Sequence, residues 1–357
     1  MRAGRVRGAA PRALAGLRRA AVAACAAAAL GGIGAVAQAQ PAAPYGLDAK
    51  AVAVDNGRLF AGVKRVAITQ LVVQFMDRQD GSAVAGSSRG GASAAAIVRL
   101  AGPGPEQYQR IVDALYDAAV AAAREAGLEV VPHEQLVAQP DFQKLLAAGK
   151  PSPVEDEKFT GHGGWTYSPR GLPVAWDSDD EESFMQSNRD PDPRGEQYRS
   201  GSSLLGGNTT AARWAEWGLA KALDAHLLKV RVTIPLAVIE TSGGILSGGA
   251  SVKITPKPRL ARDVTRFTVR RENDAARVRL DQHLLLPADL MVLDKLSQQQ
   301  DNTGGLVGAL TRFAANTAKS EYRLSADPAR YEAEVLAAAR AAFARFGEVL
   351  KAQRAPS

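Results

Sequence analysis

The chain is poor in the residues on which several common functions depend. Its 357 residues include one cysteine, Cys25, and only 6% are aromatic. A single cysteine excludes an internal disulfide bond and a zinc site built from several thiolates. No apolar run of about 18 residues follows residue 40, so we expect no transmembrane helix in the mature chain. The 46% hydrophobic and 23% charged residues are globular values, which excludes wholesale disorder.

The sequence also lacks the motifs of nucleotide, metal and nucleophilic chemistry. It contains no Walker A motif and no G-x-G-x-x-G after a predicted strand. A G-x-S-x-G pattern surrounds Ser88, but it lies in a Gly/Ser-rich loop between predicted strands, where a nucleophile elbow needs a strand followed by a helix. We therefore predict no catalytic residue, no cofactor and no metal. The histidines, none of which pairs at metal-ligand spacing, are His133, His162, His226 and His283.

Residues 1–39 are predicted to be a signal peptide. An arginine-rich start precedes a charge-free, Ala-rich stretch at 20–36, and small-residue cleavage patterns end at Ala37 and Ala39. Only five apolar residues separate Arg19 from Cys25, fewer than the roughly 7–15 of an apolar signal core. We therefore expect export to the periplasm or beyond, cleavage near Ala37 or Ala39, and no lipid on Cys25.

The excess positive charge belongs to this predicted signal. Six of the 44 Lys and Arg residues lie in the first 40 residues, which contain no acidic residue. The formal charge of +7 therefore falls to +1 for the rest of the chain. Such a balance gives no argument for nucleic-acid binding.

Hydrophobic patterns predict an α/β (α+β) domain, a mixed sheet with antiparallel meander strands flanked by helices. Its first half covers 40–148, with a buried strand at 65–75 and an amphipathic helix at 105–126. Between them, residues 80–93 are almost entirely Gly, Ser and Ala and are predicted to form a loop. The second half covers 207–357. It is predicted to contain strands from 226 onward, a helix at 305–319 and a terminal helix at 328–351.

Residues 149–206, between the two halves, are predicted to be an irregular, partly disordered insertion. They contain six prolines and an acidic run at 177–182 that we interpret as a solvated loop. Aromatic residues concentrate there, and in an exported protein such a group can bind a partner or stack on sugar rings. The alternative is a local cluster that holds the insertion against the domain. These candidate binding residues are Trp165, Tyr167, Trp176 and Phe184.

The order of predicted elements resembles a known group of envelope domains. Stretches 65–75, 122–136 and 222–238 follow one another as buried strand, helix–strand–helix and helix–strand. This order is similar to the periplasmic α/β domain of the curli-transport lipoprotein family and to the N-terminal domain of the Tol-system translocation protein. The resemblance implies a non-catalytic role in binding or assembly. Pore formation is not implied, because the sequence shows no well-placed lipid-acceptor cysteine and no obvious long amphipathic hairpins.

We therefore predict an exported, periplasmic, non-catalytic envelope protein. It would bind or help to assemble another envelope protein or polymer through its insertion or a sheet edge. The alternative is a periplasmic hydrolase acting on peptide or glycan, with Ser88 or carboxylates such as Asp177 and Glu181. The absence of a coherent catalytic set favours the binding role.

Overall fold

A computed structural model describes residues 45–87, 90–156, 162–174, 209–243, 249–272, 274–301 and 316–354. Within these ranges an 11-stranded mixed sheet is flanked by helices, which confirms the predicted mixed α/β architecture. The predicted signal peptide lies outside the described residues. The helices are α1 (Pro105–Glu125), α2 (His133–Val137), α3 (Pro140–Ala148), α4 (Thr209–Leu223) and α5 (Pro328–Arg354).

The described strands form the main sheet and two separate pairs, β8 with β9 and β10 with β13. In chain order they are β1 (Val52–Asp55), β2 (Arg65–Ser87), β3 (Gly90–Ala101), β4 (Glu129–Val130), β5 (Val154–Asp156), β6 (His162–Tyr167), β7 (His226–Ile234), β8 (Ala237–Ser242), β9 (Ser251–Pro256), β10 (Arg259–Leu260), β11 (Arg266–Arg271), β12 (Asp274–Leu280), β13 (Leu284–Leu285), β14 (Val292–Asp301) and β15 (Asn316–Ser325).

Strand β2 is 23 residues long and belongs to two different environments. From Val66 to Phe75 it pairs in parallel with β7, and β11, β12 and β1 continue the sheet beyond β7. We call this part the body. From Arg78 to Ser87, β2 pairs with β3, which is followed by β15 and β14. We call these four strands the extension.

The helices α1 and α5 cover one face of the body. Pro105 suits the first turn of α1, and Gly127 takes a positive φ of 76° just after its end, as expected from the sequence. The side chains on this face are aromatic and aliphatic. Phe75 of β2 stacks on Tyr108 of α1 with ring centroids 4.2 Å apart. Phe267 of β11 packs against two phenylalanines of α5. This face holds the main hydrophobic core.

The prediction of a loop at 80–93 is wrong, because most of these residues belong to strands. Residues up to Ser87 continue β2, and β3 begins at Gly90. Gly, Ser and Ala carry little intrinsic strand signal, so the pairing of β2 with β3 and of β3 with the distant β15 makes these residues extended. A hairpin with a returning strand at 96–100 is expected from the sequence, and its two strands continue through most of the predicted loop.

Two other regions differ from the sequence-based expectation. Residues 316–319, predicted to end a helix, belong to β15, whereas 305–315 lie outside the described residues. Within 149–206, residues 154–156 and 162–167 form strands, and β6 joins the main sheet beside β2. Residues 157–161 and 175–206 are outside the described ranges. The sequence does not predict β6, because its two glycines have a low strand propensity. The strand forms because it pairs with β2.

Candidate functional site

The extension has one covered face, and its small side chains allow that covering. Alternate residues of β2 and β3 are buried alanines, including Ala85 and Ala96. The β8–β9 hairpin packs over them. A Cβ atom at Gly81 would collide with the Cγ2 methyl group of Ile239 of β8. Small residues therefore bring two layers of strands into close contact.

A buried glutamine directs the chain onto this face. The side-chain oxygen of Gln79 accepts hydrogen bonds of 2.8 Å from the backbone N–H groups of Leu236 and Ala237. These residues follow β7 and begin β8. Pro235 lacks a backbone N–H, and the alternating apolar residues at 226–239 are divided here between β7 and β8. Gln79 thus fixes the position at which β8 leaves the main sheet.

Strand β14 forms one lateral edge of the main sheet. Among the described residues it pairs with β15 and with no other strand. It exposes two apolar side chains, Val292 at 61% and Leu296 at 48%. A register irregularity at Leu296 interrupts the pairing between Lys295 and Ser297. Beyond it the chain reads Ser-Gln-Gln-Gln, with no charge and no proline. A long edge without these protections can accept another strand.

The structure places two of the four candidate aromatic residues. Trp165 and Tyr167 lie on β6, opposite Phe75 and Val73 of β2. Tyr167 is buried and meets Phe75 edge-on, with ring centroids 5.9 Å apart. Trp165 is half-buried and packs against the main core. Trp176 and Phe184 lie outside the described residues. The two placed rings therefore contribute to core packing at the end of the body half of β2.

Trp165 also donates a hydrogen bond to Asp77, an acidic side chain at the junction of body and extension. Asp77 lies at a bulge of β2 opposite β6, where the pairing shifts between Met76 and Arg78. Burial raises the pKa of Asp77, and a hydrogen bond donated by Trp165 opposes that rise. Desolvation raises the pKa of Tyr167 as well, and the Asp77 charge adds to that rise. The sequence offers no signal for this site, because the bulge arises only from pairing with β6.

The described residues contain no group of three or more His, Cys, Asp or Glu side chains arranged to hold a metal ion. Within the same ranges, no helix combines the length and apolar character needed to cross a bilayer. The candidate hydrolase residues Ser88, Asp177 and Glu181 lie outside the described part of the chain. His283 accepts a hydrogen bond of 3.2 Å from the backbone N–H of Arg262.

Comparison with known proteins identifies no relative of this chain. No family model matches the chain, and neither a curated protein nor a solved structure is similar to it.

Proposed function

We propose that this chain is an exported, non-catalytic protein of the periplasm that binds another envelope protein by strand addition at β14. The observation that carries the proposal is the ten-residue edge formed by β14, whose described pairing is with β15 alone. An unpaired edge offers a row of backbone N–H and C=O groups. An extended segment of a partner satisfies these groups, and main-chain hydrogen bonds then supply affinity.

The second half of β14 is the better half for such a contact. In the first half, Asp294 and Lys295 place charges on the strand, and the irregularity at Leu296 interrupts its register. Charge and bulges are the devices that natural sheets use to block edge pairing. Residues 297–300 lack both charge and proline. We therefore expect the partner to be an extended, proline-free polypeptide that pairs with 297–300 and places an apolar side chain near Leu296.

Two further considerations support this class of role. The predicted signal peptide at 1–39 supports export, and the resemblance to the curli-transport lipoprotein family implies binding or assembly in the envelope. The hydrolase alternative depends on Ser88, Asp177 and Glu181, which lie outside the described residues.

Position-specific photo-crosslinking in the intact exported protein tests the proposal. A photoreactive amino acid at Gln299 on the edge should give crosslinks to one defined envelope protein. The same amino acid at Glu321 is the control, because Glu321 lies on β15 between β3 and β14 and its side chain is about half exposed. Equal crosslinking from the two positions, or none from Gln299, would contradict strand addition at the edge.

A proline pair separates binding from folding. In an antiparallel strand, neighbouring residues direct their N–H groups to opposite sides. Of Gln298→Pro and Gln299→Pro, one removes a hydrogen bond to β15 and the other removes an outward donor. With the photoreactive amino acid at Ser297, the outward variant should keep its unfolding midpoint and lose the crosslink. If both variants retain the crosslink, the β14 edge is not the binding surface.

A further inference from the structure

A cavity lies at the end of the body sheet where β7 begins and where β11 turns into β12. Its volume is about 200 Å³, whereas pockets for drug-sized ligands measure about 300–1,000 Å³. The cavity therefore suits a smaller molecule. The residues that line it are Leu59, His226, Val269, Arg271, Glu272 and Asp274.

Three polar side chains of the cavity form one row across neighbouring strands. Arg271, the last residue of β11, is the register partner of Asp274 on β12. On the other side of β11, Arg270 lies opposite Leu227 of β7, so the next step of the antiparallel register places Arg271 beside His226. The row therefore carries an imidazole, a guanidinium and a carboxylate on strands about 5 Å apart.

Two apolar side chains complete the cavity. Residues two apart on a strand point to one face, so Val269 shares the face of Arg271 and of Phe267, which packs against α5. Val269 is buried. Leu59 comes from a 3₁₀ turn at Gly57–Phe60 and packs against the main core. The cavity therefore joins an apolar surface to a row of polar and charged groups.

The lining of the cavity carries charges of both signs. Arg271 supplies one positive charge, and Glu272 and Asp274 supply two negative charges. Burial and the Arg271 charge lower the pKa of His226, so its imidazole is neutral at about pH 7. A simple anion would be repelled by the two carboxylates, and a simple cation would be repelled by the guanidinium. A zwitterion can pair with both kinds of group.

The guanidinium of Arg271 is accessible to a ligand. It donates a hydrogen bond of 3.4 Å to Oδ1 of Asp224, and the two side chains are 48% and 87% exposed. An ion pair as exposed as this one contributes little to stability, because water screens both charges. A ligand carboxylate can therefore replace Asp224 at Arg271 with little loss of stability.

Three of the four described non-glycine residues with a positive φ lie in the turns around this cavity. Asn56, with a φ of 55°, directly precedes the 3₁₀ turn that supplies Leu59. Asp224, with a φ of 43°, lies two residues before His226. Glu272, with a φ of 55°, lines the cavity itself. Such backbone conformations are unfavourable and concentrate at binding and active sites, so they support a ligand site here.

We propose that this cavity binds a free α-amino acid with a small apolar side chain. The ligand carboxylate pairs with Arg271, and the ligand ammonium group lies between the carboxylates of Glu272 and Asp274. The ligand side chain contacts Leu59 and Val269. Strands β2, β3 and β15 separate the cavity from β14, so this proposal and the binding role of β14 can fail independently.

Nuclear magnetic resonance titration of the intact exported protein with matched probes tests the proposal. L-Alanine and L-valine carry both charges, isobutylamine is valine without its carboxylate, and isovalerate is valine without its ammonium group. Both amino acids should shift the amide signals of Leu59, Val269 and Glu272 saturably at millimolar concentration. Each single-charge probe should bind at least about tenfold more weakly than L-valine. Equal binding of valine and the single-charge probes, shifts confined to other residues, or no saturable shift with either amino acid would overturn the proposal.

Charge removal on each side of the cavity tests how the ligand is oriented. Arg271→Gln should weaken L-valine binding at least about tenfold and should not weaken isobutylamine binding. Asp274→Asn should weaken L-valine binding severalfold, since Glu272 remains, and should not weaken isovalerate binding. Arg340→Gln on α5 and Asp117→Asn on α1 are the matched controls, because both residues are exposed and neither lines the cavity. Unchanged L-valine affinity in Arg271→Gln, or an equal loss in the controls, would overturn the proposal.

Discussion

The two halves of β2 show how one continuous strand can serve opposite purposes. The body half, from Val66 to Phe75, consists mostly of large apolar residues and lies beneath the aromatic side chains of α1. The extension half, from Arg78 to Ser87, consists mostly of Gly, Ala and Ser after its first polar residues. Bulky residues bury apolar area and stabilise the fold. Small residues admit the second layer formed by β8 and β9. The body half of β2 therefore supplies large buried side chains, whereas the extension half leaves room for a second layer of strands.

The largest predicted effect follows from breaking the body half. Phe75→Ala removes a fully buried ring that stacks on Tyr108, and it should lower the free energy of unfolding by about 3–5 kcal/mol. Val84→Ala is the matched change in the extension half. Val84 is 70% exposed, so its truncation should change stability by no more than about 0.5 kcal/mol. Urea unfolding of both variants measures the contrast, and similar losses would show that the exposed surface of the extension stabilises the fold as much as the buried ring of the body.

A second prediction compares ion pairs in the two regions. Glu216→Gln leaves the buried Lys229 without its carboxylate partner on the body sheet, which should cost about 3 kcal/mol. In the β8–β9 hairpin over the extension, Glu240 and Lys253 form an exposed pair 3.4 Å apart. Breaking it with Glu240→Gln should cost about 0–1 kcal/mol. Thermal unfolding at two salt concentrations provides the measurement. Equal costs would mean that burial of the Lys229 pair contributes nothing.

A third prediction concerns the layer over the extension. Gly81→Ala places a methyl group against the Cγ2 atom of Ile239 and should cost about 1–3 kcal/mol through displacement of β8. Ile239→Ala in the same chain opens the space and should recover part of that loss. Gly163→Ala on β6 is the control, because its Cβ would meet Arg78 at an ordinary 3.6 Å. Hydrogen exchange should show the change in β8 and β9 and not in β7. A loss without recovery would mean that Gly81 serves backbone freedom alone.

The same contrast explains what the sequence could predict. Helix α1 repeats apolar residues at three and four positions and is bounded by Pro105 and Gly127, so local physics determines it. The body half of β2 has a run of apolar residues that only a buried strand explains. The extension has no such local signal at 80–93. Its strand order depends on pairing with residues more than 200 positions away, as between β3 and β15.

The candidate binding surfaces depend even more on tertiary contacts. Strand β14 is an edge because, among the described residues, it pairs with β15 and with no other strand. No local sequence pattern encodes this position. The concentration of aromatic residues at 149–206 identifies Trp165 and Tyr167 as candidate binding residues. Their location on a strand of the main sheet, beside Phe75, follows from pairing with β2.

The smallest predicted effect lies at the bulge that joins the two halves of β2. Burial raises the pKa of Asp77, so the folded chain retains this proton at a pH where the unfolded chain, with a carboxyl pKa near about 3.9, has lost it. Ionisation of Asp77 therefore opposes folding. Its unfavourable contribution is absent at pH values below the unfolded pKa and grows as the pH rises through the folded pKa.

Asp77→Asn should remove this pH dependence while keeping an oxygen that accepts the hydrogen bond from Trp165. The difference in the free energy of unfolding, variant minus wild type, should increase as the pH rises from the unfolded pKa through the folded pKa and then stay constant. Trp165→Phe removes the donor that lowers the pKa of Asp77 in the folded chain. In a Trp165→Phe background, the increase caused by Asp77→Asn should therefore continue to higher pH before it becomes constant. Urea unfolding across the pH range, analysed as differences between variants, cancels the titration of all other carboxylates. A difference in the free energy of unfolding that does not change with pH would show that Asp77 is exposed to solvent in the folded chain. The junction between the body and the extension would then be hydrated.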